Sequence, residues 1–145
     1  MGVEDTAISI DAIFVYGTLK RGQCREAMWP RKPIAIEEAW VWGRLYGRSD
    51  YPAMKAGADR VRGERWRFPA EAMPEVLAVL DEIEGTNQLG QPDLYCRVVV
   101  DVRDARSAFV GPAYTYHYAT DPLGDGFHRI EPQGAEVAWP EASPD

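Results

Sequence analysis

The stretch Ile13–Gly22, with the sequence IFVYGTLKRG, constrains the fold of this chain more than any other. Its first four residues are β-branched or aromatic and too few for a helix, which predicts a short buried strand over 13–16. Gly17 ends that strand, and a glycine lets the backbone turn sharply or approach a ligand closely. The N–H groups of Gly17, Thr18 and Leu19 are then expected to face an anion or a developing oxyanion. A plain hairpin turn after a first strand explains the same residues more simply.

The length of the chain, 145 residues, is that of one ordinary domain with one hydrophobic core. We expect that domain to span residues 1–132. Residues 133–145 are acidic and contain little that can be buried except Val137 and Trp139. We expect a flexible tail there, either mobile or docked only at Trp139.

The charge and the cysteines exclude several classes of partner. A net charge of −7 repels nucleic-acid phosphates and anionic lipids. Residues 1–11 are acidic and polar where a signal peptide would be basic and then apolar, and no apolar run reaches the roughly 18 residues of a membrane span. We therefore expect a cytoplasmic protein that binds neither nucleic acid nor membrane. Cys24 and Cys96 lack metal-ligand spacing, which predicts two free thiols and no metal site.

Hydrophobic periodicity predicts further strands and one helix. The segment Gly47–Gly57 has a turn composition and would be either one wall of a pocket or a plain surface connection. The helix is expected from about Met73 or Pro74 to Ile83, and a loop follows over Thr86–Asp93. The predicted strands are Ile34–Tyr46, Arg60–Phe68, Tyr95–Val102 and Ala113–Tyr118, the last two forming a hairpin.

Glu84 occupies an unusual position at the end of this helix. At ~100° per residue it falls on the same side as the apolar stripe, whereas Asp81 and Glu82 point toward solvent. A carboxylate that faces the core must be hydrogen-bonded, have a raised pKa, or belong to a site. Alternatively the helix frays before Glu84, because Gly85 is a natural C-terminal cap. The stripe consists of Met73, Val76, Leu77, Leu80 and Ile83.

A series of short motifs runs through the chain in a fixed order and resembles the γ-glutamylcyclotransferase-like family. That family includes γ-glutamylamine cyclotransferases, the butirosin-pathway cyclotransferase and plant avirulence-induced proteins. The resemblance covers roughly residues 13–118, and such an ordered series is a specific signal. The motifs are Tyr16-Gly17-Thr18-Leu19 with Gly22, Gly43-x-Leu45-Tyr46, Tyr51-Pro52-Ala53, Val61-x-Gly63-Glu64, Leu80-Asp81-x-x-Glu84-Gly85 and Tyr95-x-Arg97.

The resemblance implies a fold, a substrate class and a catalytic residue. We expect an α+β fold, a small mixed or antiparallel barrel-like sheet with one main helix packed on it. The partner is expected to be a small γ-glutamyl compound, with no cofactor, and the pattern makes no prediction about oligomeric state. The family's catalytic glutamate directly precedes the motif's last glycine, which corresponds to Glu84. Tyr16, Tyr95 and the 17–19 backbone are the expected substrate-binding groups, with the tyrosines as walls or hydrogen-bond donors.

Three functions compete at this stage. In the first, the α-amine of a γ-glutamyl amide attacks its own γ-carbonyl, and Glu84 acts as general acid and base to release 5-oxoproline and an amine. In the second, the same pocket binds a γ-glutamyl or carboxylate ligand without turnover. The third is a thiol hydrolase that uses Cys24 or Cys96 with His117, although Cys96 on a strand is more often a small core residue.

Overall fold

Five β-strands form the body of the protein. The computed structural model describes residues 10–140. One α-helix, α1 (Met73–Glu84), follows the third strand, and short 3₁₀ turns lie at Glu26–Met28, Ala70–Ala72 and Leu123–Asp125. The five strands are β1 (Ala12–Val15), β2 (Ala35–Gly47), β3 (Pro52–Arg67), β4 (Tyr95–Asp104) and β5 (Phe109–Tyr118), and two short strands, β6 (His128–Arg129) and β7 (Glu136–Val137), come later.

The sheet closes on itself. Its strands are neighbours in the order β2-β4-β5-β1-β3, and β3 pairs with β2 to complete the ring. β1 and β5 run parallel, whereas the other pairs around the ring are antiparallel. Closure leaves the central strands without free edges, and β6 and β7 are added to β2 and β3. The predicted α+β fold, a mixed barrel-like sheet with one main helix, is therefore confirmed.

β1 lies between two hydrophobic clusters. All four of its residues are buried. Ile13 and Val15 belong to the cluster that also contains the apolar face of α1, whereas Ala12 and Phe14 belong to the cluster inside the barrel. Side chains alternate along a strand, so each face of β1 packs into one of these clusters. The predicted first strand is confirmed, with its bounds one residue earlier than expected.

β3 is longer than the sequence pattern indicated. It begins at Pro52, so residues 52–57, which we predicted as part of a turn segment, are extended and paired with β2. The ladder is interrupted where Gly43 pairs with Asp59 but Arg44 pairs with Lys55, which leaves residues 56–58 as a bulge. The glycine and alanines of that bulge resemble a loop in composition. The prediction of a turn was wrong there, because a β-bulge inside a strand also requires glycine and other small residues and so has the same composition as a turn.

The remaining predicted elements are close to those observed. The helix extends to Glu84, and β4 and β5 form the expected hairpin.

In the segment predicted as a flexible tail, β7 pairs with β3, Val137 is buried and Trp139 packs on the barrel. Residues 141–145 of that segment lie outside the described residues. No helix within residues 10–140 has the length and apolar character required to span a bilayer.

Gly63 permits a close approach of β3 to the end of β1. A Cβ built at this position would overlap the Val15 carbonyl oxygen and come within 2.7 Å of Phe14 Cζ. The first of these neighbours is backbone and cannot move alone. We expect Gly63→Ala to destabilise the protein by about 1–3 kcal/mol in urea unfolding, because overpacking strains the barrel.

Gly124→Ala is the matched control for this prediction. There the nearest neighbour of an added Cβ is Asp121 Oδ2 at 3.6 Å, an ordinary contact. The control variant should stay within about 0.5 kcal/mol of the parent. A Gly63→Ala variant as stable as the control would show that β1 and β3 can separate at no cost.

Candidate active site

A cavity of ≈ 130 Å³ opens where β1 ends. Its walls come from the loop after β1, the first residues of β3, the last turn of α1 and the start of β4, and two residues of β5 complete it. Elements distant in sequence therefore meet at one point. All six residues that the sequence analysis selected line this cavity: Tyr16, Gly17, Thr18, Leu19, Glu84 and Tyr95.

The end of α1 is held by a C-terminal cap. Gly85 has the left-handed conformation, with φ = 68°. The Thr86 N–H donates to the Asp81 carbonyl at 2.8 Å, and the Gly85 carbonyl accepts from the Leu94 N–H at 2.9 Å. The Thr86 hydroxyl donates to the Tyr95 carbonyl at 2.5 Å, so the residues after the helix are joined to the start of β4. The helix does not fray before Glu84, because the cap satisfies its terminal carbonyls.

Burial changes the acidity of Glu84. Removal of the carboxylate from water raises the pKa of Glu84 from 4.5 to about 7, and the opposing effect of the Arg25 cation is smaller. Within residues 10–140, no group donates a hydrogen bond to this carboxylate. Of the three outcomes allowed for a core-facing carboxylate, two apply: the pKa is raised, and the residue lines the cavity. Glu84 can therefore accept and release a proton near neutral pH.

The loop after β1 lines the cavity with residues whose backbone N–H groups are not used within the loop. Its carbonyls are occupied, because Gly17 O accepts from the Lys20 N–H at 3.1 Å and Thr18 O accepts from the Arg25 N–H at 2.8 Å. In the described part of the chain, by contrast, the N–H groups of Gly17, Thr18 and Leu19 have no acceptor. Three adjacent amide donors at a cavity are suited to a carboxylate or an oxyanion.

Gly17 is required for a reason that the sequence did not reveal. Its φ is not among the positive values of the chain, so the turn needs no left-handed residue. A Cβ at this position would approach Pro52 Cγ at 2.7 Å. The missing side chain therefore makes room for Pro52 at the start of β3, a contact that the sequence analysis did not predict.

The two tyrosines have their hydroxyl protons engaged. The Tyr16 hydroxyl donates to the Tyr116 carbonyl at 2.6 Å, and the Tyr95 hydroxyl donates to the Pro52 carbonyl at 2.7 Å. Burial, together with the nearby Glu84 carboxylate, raises the pKa of both phenols, so both remain neutral. Of the two expected roles, this geometry favours walls of the cavity over free hydrogen-bond donors.

Asp81 does not face solvent as predicted. Its carboxylate accepts from the Tyr116 hydroxyl at 2.6 Å and from Arg97 Nη1 at 2.8 Å. The flank of α1 that carries Asp81 lies against the β4–β5 hairpin, which a single-helix projection does not include. The motifs that contain Asp81 and Arg97 were the sequence signal for this network. It joins the last turn of α1 to both strands of the hairpin and so positions Glu84.

Arg25 is a cavity residue that the sequence analysis missed. It lies in the connection after β1, is partly buried, and lines the cavity near Glu84. Its side chain forms no ion pair or hydrogen bond within the described residues. A single arginine in a polar loop carries no periodicity or spacing that would distinguish it from a solvent-exposed charge.

The geometry does not favour the thiol reading. Cys24 is exposed, and Cys96 pairs in register with His117 on the neighbouring strand. Neither cysteine lines the cavity. Burial and the adjacent Asp93 carboxylate raise the pKa of the Cys96 thiol, which disfavours the nucleophilic thiolate.

Comparison with known proteins identifies the family. A family model described as "Gamma-glutamyl cyclotransferase, AIG2-like" matches residues 13–135. The chain belongs to this family. None of the functionally curated proteins matches the chain at a significant level. Membership supports a cyclotransferase type of activity on small γ-glutamyl compounds, and it agrees with the resemblance deduced from the motifs.

Solved structures share this fold at low sequence identity. An AIG2-like protein from Mus musculus, also named ggact, is 23% identical with a TM-score of 0.55, over 79% of this chain and 80% of the mouse chain. An uncharacterised protein from Pyrococcus horikoshii is 24% identical with a TM-score of 0.54, over 83% and 85% of the two chains. A protein from Arabidopsis thaliana reaches a TM-score of 0.57 at 24% identity, over 77% and 65%.

The Asp81 network predicts a measurable coupling. Tyr116→Phe and Asp81→Asn each remove part of the link between α1 and the hairpin, and each should destabilise the protein by about 1–3 kcal/mol. In a double-mutant cycle followed by urea unfolding, the two changes should couple by about 0.5–3 kcal/mol, because Tyr116→Phe removes the donor of a hydrogen bond whose charged acceptor Asp81→Asn replaces with a neutral amide oxygen. Additive losses of unfolding free energy would indicate that this hydrogen bond does not stabilise the end of α1.

Proposed function

We propose that this protein is a γ-glutamyl cyclotransferase that converts a γ-glutamyl amide into 5-oxoproline and a free amine, with Glu84 as general acid and base. The observation that carries the proposal is the Glu84 carboxyl, which lines the cavity with a pKa raised by burial to about 7 and no donor from the described residues. A general acid–base group is most effective when its pKa is close to the working pH.

The reaction forms one bond, breaks one, and moves protons from the attacking nitrogen to the leaving nitrogen. Glu84 takes a proton from the substrate's α-ammonium group, and the resulting amine attacks the γ-carbonyl carbon to form the five-membered ring. Glu84 gives this proton to the leaving nitrogen, the oxyanion collapses and the bond to that nitrogen breaks. The ionised Glu84 then takes the surplus proton from the ring nitrogen and passes it to the departing amine. The substrate supplies its own nucleophile, so the chemistry requires positioning and proton transfer but no cofactor.

The other cavity groups have complementary roles in this proposal. The N–H groups of Gly17, Thr18 and Leu19 hold the substrate's α-carboxylate or the oxyanion, and loss of one such donor typically costs about 10²–10³ in turnover. Tyr16 and Tyr95, whose hydroxyls donate to backbone carbonyls, form rigid walls beside Glu84. These walls exclude water from the reacting centre.

A silent ligand-binding module on the same fold is the alternative. It would use the same amides to bind a γ-glutamyl or carboxylate ligand. The desolvated Glu84 carboxyl argues against it, because a carboxylate binder gains nothing from an acidic group in its cavity. A screen of γ-glutamyl amino acids, glutathione, γ-glutamyl-ε-lysine and γ-glutamylated amines, with 5-oxoproline detected by mass spectrometry, separates the two functions.

Glu84→Gln should fold normally and lose nearly all turnover. The amide preserves the shape of the side chain but cannot accept a proton, so we expect kcat to fall by about 10²–10⁴. The matched control is Glu82→Gln, two residues earlier on the exposed side of α1, which should retain parental activity. Parental turnover in Glu84→Gln, measured as 5-oxoproline released, would eliminate the mechanism.

The pH profile should follow the Glu84 carboxyl. Burial raises the pKa values of the neighbouring Tyr16, Tyr95 and Tyr116, so these phenols stay neutral near pH 7, and the Arg25 cation acts on the Glu84 carboxylate. As the pH falls through about 7, Glu84 gains a proton and can no longer accept one. We expect kcat/KM to decrease about tenfold per pH unit below that value, with circular dichroism confirming that the fold persists. A profile that stays flat down to about pH 4.5 would indicate an unperturbed glutamate.

A further inference from the structure

Resting on the function proposed above, we infer that Arg25 binds a carboxylate on the leaving amine, so that the enzyme prefers γ-glutamyl derivatives of amino acids over those of simple amines. The inference concerns only the part of the substrate that departs. It follows from the position of Arg25, the size of the cavity and the charge of the residues around it.

Exposure divides the cavity lining into a floor and a mouth. The floor includes Thr18, Leu19 and Tyr95, each less than one-tenth exposed. At the mouth lie Arg25, which is partly buried, and Leu94, which is 44% exposed. The free amides thus belong to the floor and the guanidinium to the mouth.

The cavity is large enough for only part of a substrate. Its ≈ 130 Å³ is well below the roughly 300 Å³ at which pockets begin to enclose drug-sized ligands. The glutamyl unit must occupy the floor, because its α-amine has to reach Glu84 and its polar groups have to reach the amides of Thr18 and Leu19. The leaving amine then lies at the mouth, beside Arg25 and Leu94.

Arg25 forms no ion pair in the described part of the chain, although its charge acts on the nearby Glu84 carboxylate. Most arginines there pair with carboxylates, for example Arg21 with Glu64 and Arg48 with Asp50. A guanidinium presents a planar set of donors that matches a carboxylate with two parallel hydrogen bonds. Arg25 is a cation at a cavity mouth whose guanidinium donates no hydrogen bond within residues 10–140, and such a group favours an anionic ligand group.

The other mouth residues define the rest of the leaving group. Ile83 and Leu94 are apolar, and Tyr51 adds an aromatic face. An amine that carries both a carboxylate and an apolar side chain matches this set. Arg25 would repel a leaving group with an additional positive charge. The site would therefore select against cationic leaving groups as well as bind anionic ones.

The test uses two substrates that differ in one group. γ-Glutamyl-leucine and γ-glutamyl-isopentylamide have the same glutamyl unit and the same apolar leaving chain, and only the first carries a carboxylate on the leaving amine. The measured quantity is the ratio of their kcat/KM values for 5-oxoproline release. Any effect of Arg25 on the Glu84 pKa acts on both substrates and cancels in this ratio.

In the parent enzyme we expect γ-glutamyl-leucine to be preferred by about tenfold to a hundredfold, the usual value of a hydrogen-bonded charge pair. Arg25→Gln should abolish this preference by slowing γ-glutamyl-leucine much more than γ-glutamyl-isopentylamide, and Arg25→Lys should restore part of it. Arg106→Gln, the same substitution at an exposed turn between β4 and β5, should leave the ratio at the parental value.

Two results would overturn the inference while leaving the proposed function intact. One is equal turnover of both substrates by the parent enzyme. The other is a parental ratio of the two kcat/KM values in Arg25→Gln, which would show that Arg25 does not recognise the leaving amine. If the parent releases 5-oxoproline from neither substrate nor from any compound of the screen, the proposed function fails and the inference fails with it.

Discussion

The desolvated carboxyl of Glu84 is the interaction on which the rest of the site depends. A carboxylate taken out of water without a hydrogen-bond partner is costly, and the cost is expressed here as a pKa of about 7. The protein keeps it in place because the cap at Gly85, the Thr86–Tyr95 hydrogen bond and the Asp81 network all hold the end of α1. These contacts stabilise the helix end independently of the state of Glu84.

The barrel supplies the other half of the site. β1 has both faces buried, so its end and the loop that follows are fixed relative to β3 and β5. The same fixed loop exposes three amide donors while its carbonyls are occupied by turn hydrogen bonds. A rigid loop with oriented donors needs little reorganisation when a charge develops, which is the physical basis of oxyanion stabilisation.

Charge is distributed unevenly between the surface and the cavity. The chain as a whole is acidic, and its arginines are mostly neutralised by carboxylates at the surface. At the cavity, the partly buried Arg25 and Glu84 lie close enough to influence each other without forming an ion pair. This separation keeps the Glu84 proton available and leaves the guanidinium of Arg25 for a ligand.

The sequence by itself determined the elements whose signal is local. The alternation of β4 and β5, the apolar stripe of α1 and the Gly85 cap are short-range patterns, and the ordered motifs identified Glu84 and the 16–19 loop. Tertiary structure decided what depends on neighbours distant in sequence. Asp81 was assigned to solvent because a helix projection omits the hairpin that covers it, and Gly17 was assigned to ligand access because its neighbour Pro52 is 35 residues away. No periodicity or motif in the sequence marks Arg25. Its charge reaches the cavity only because its loop folds toward the end of α1.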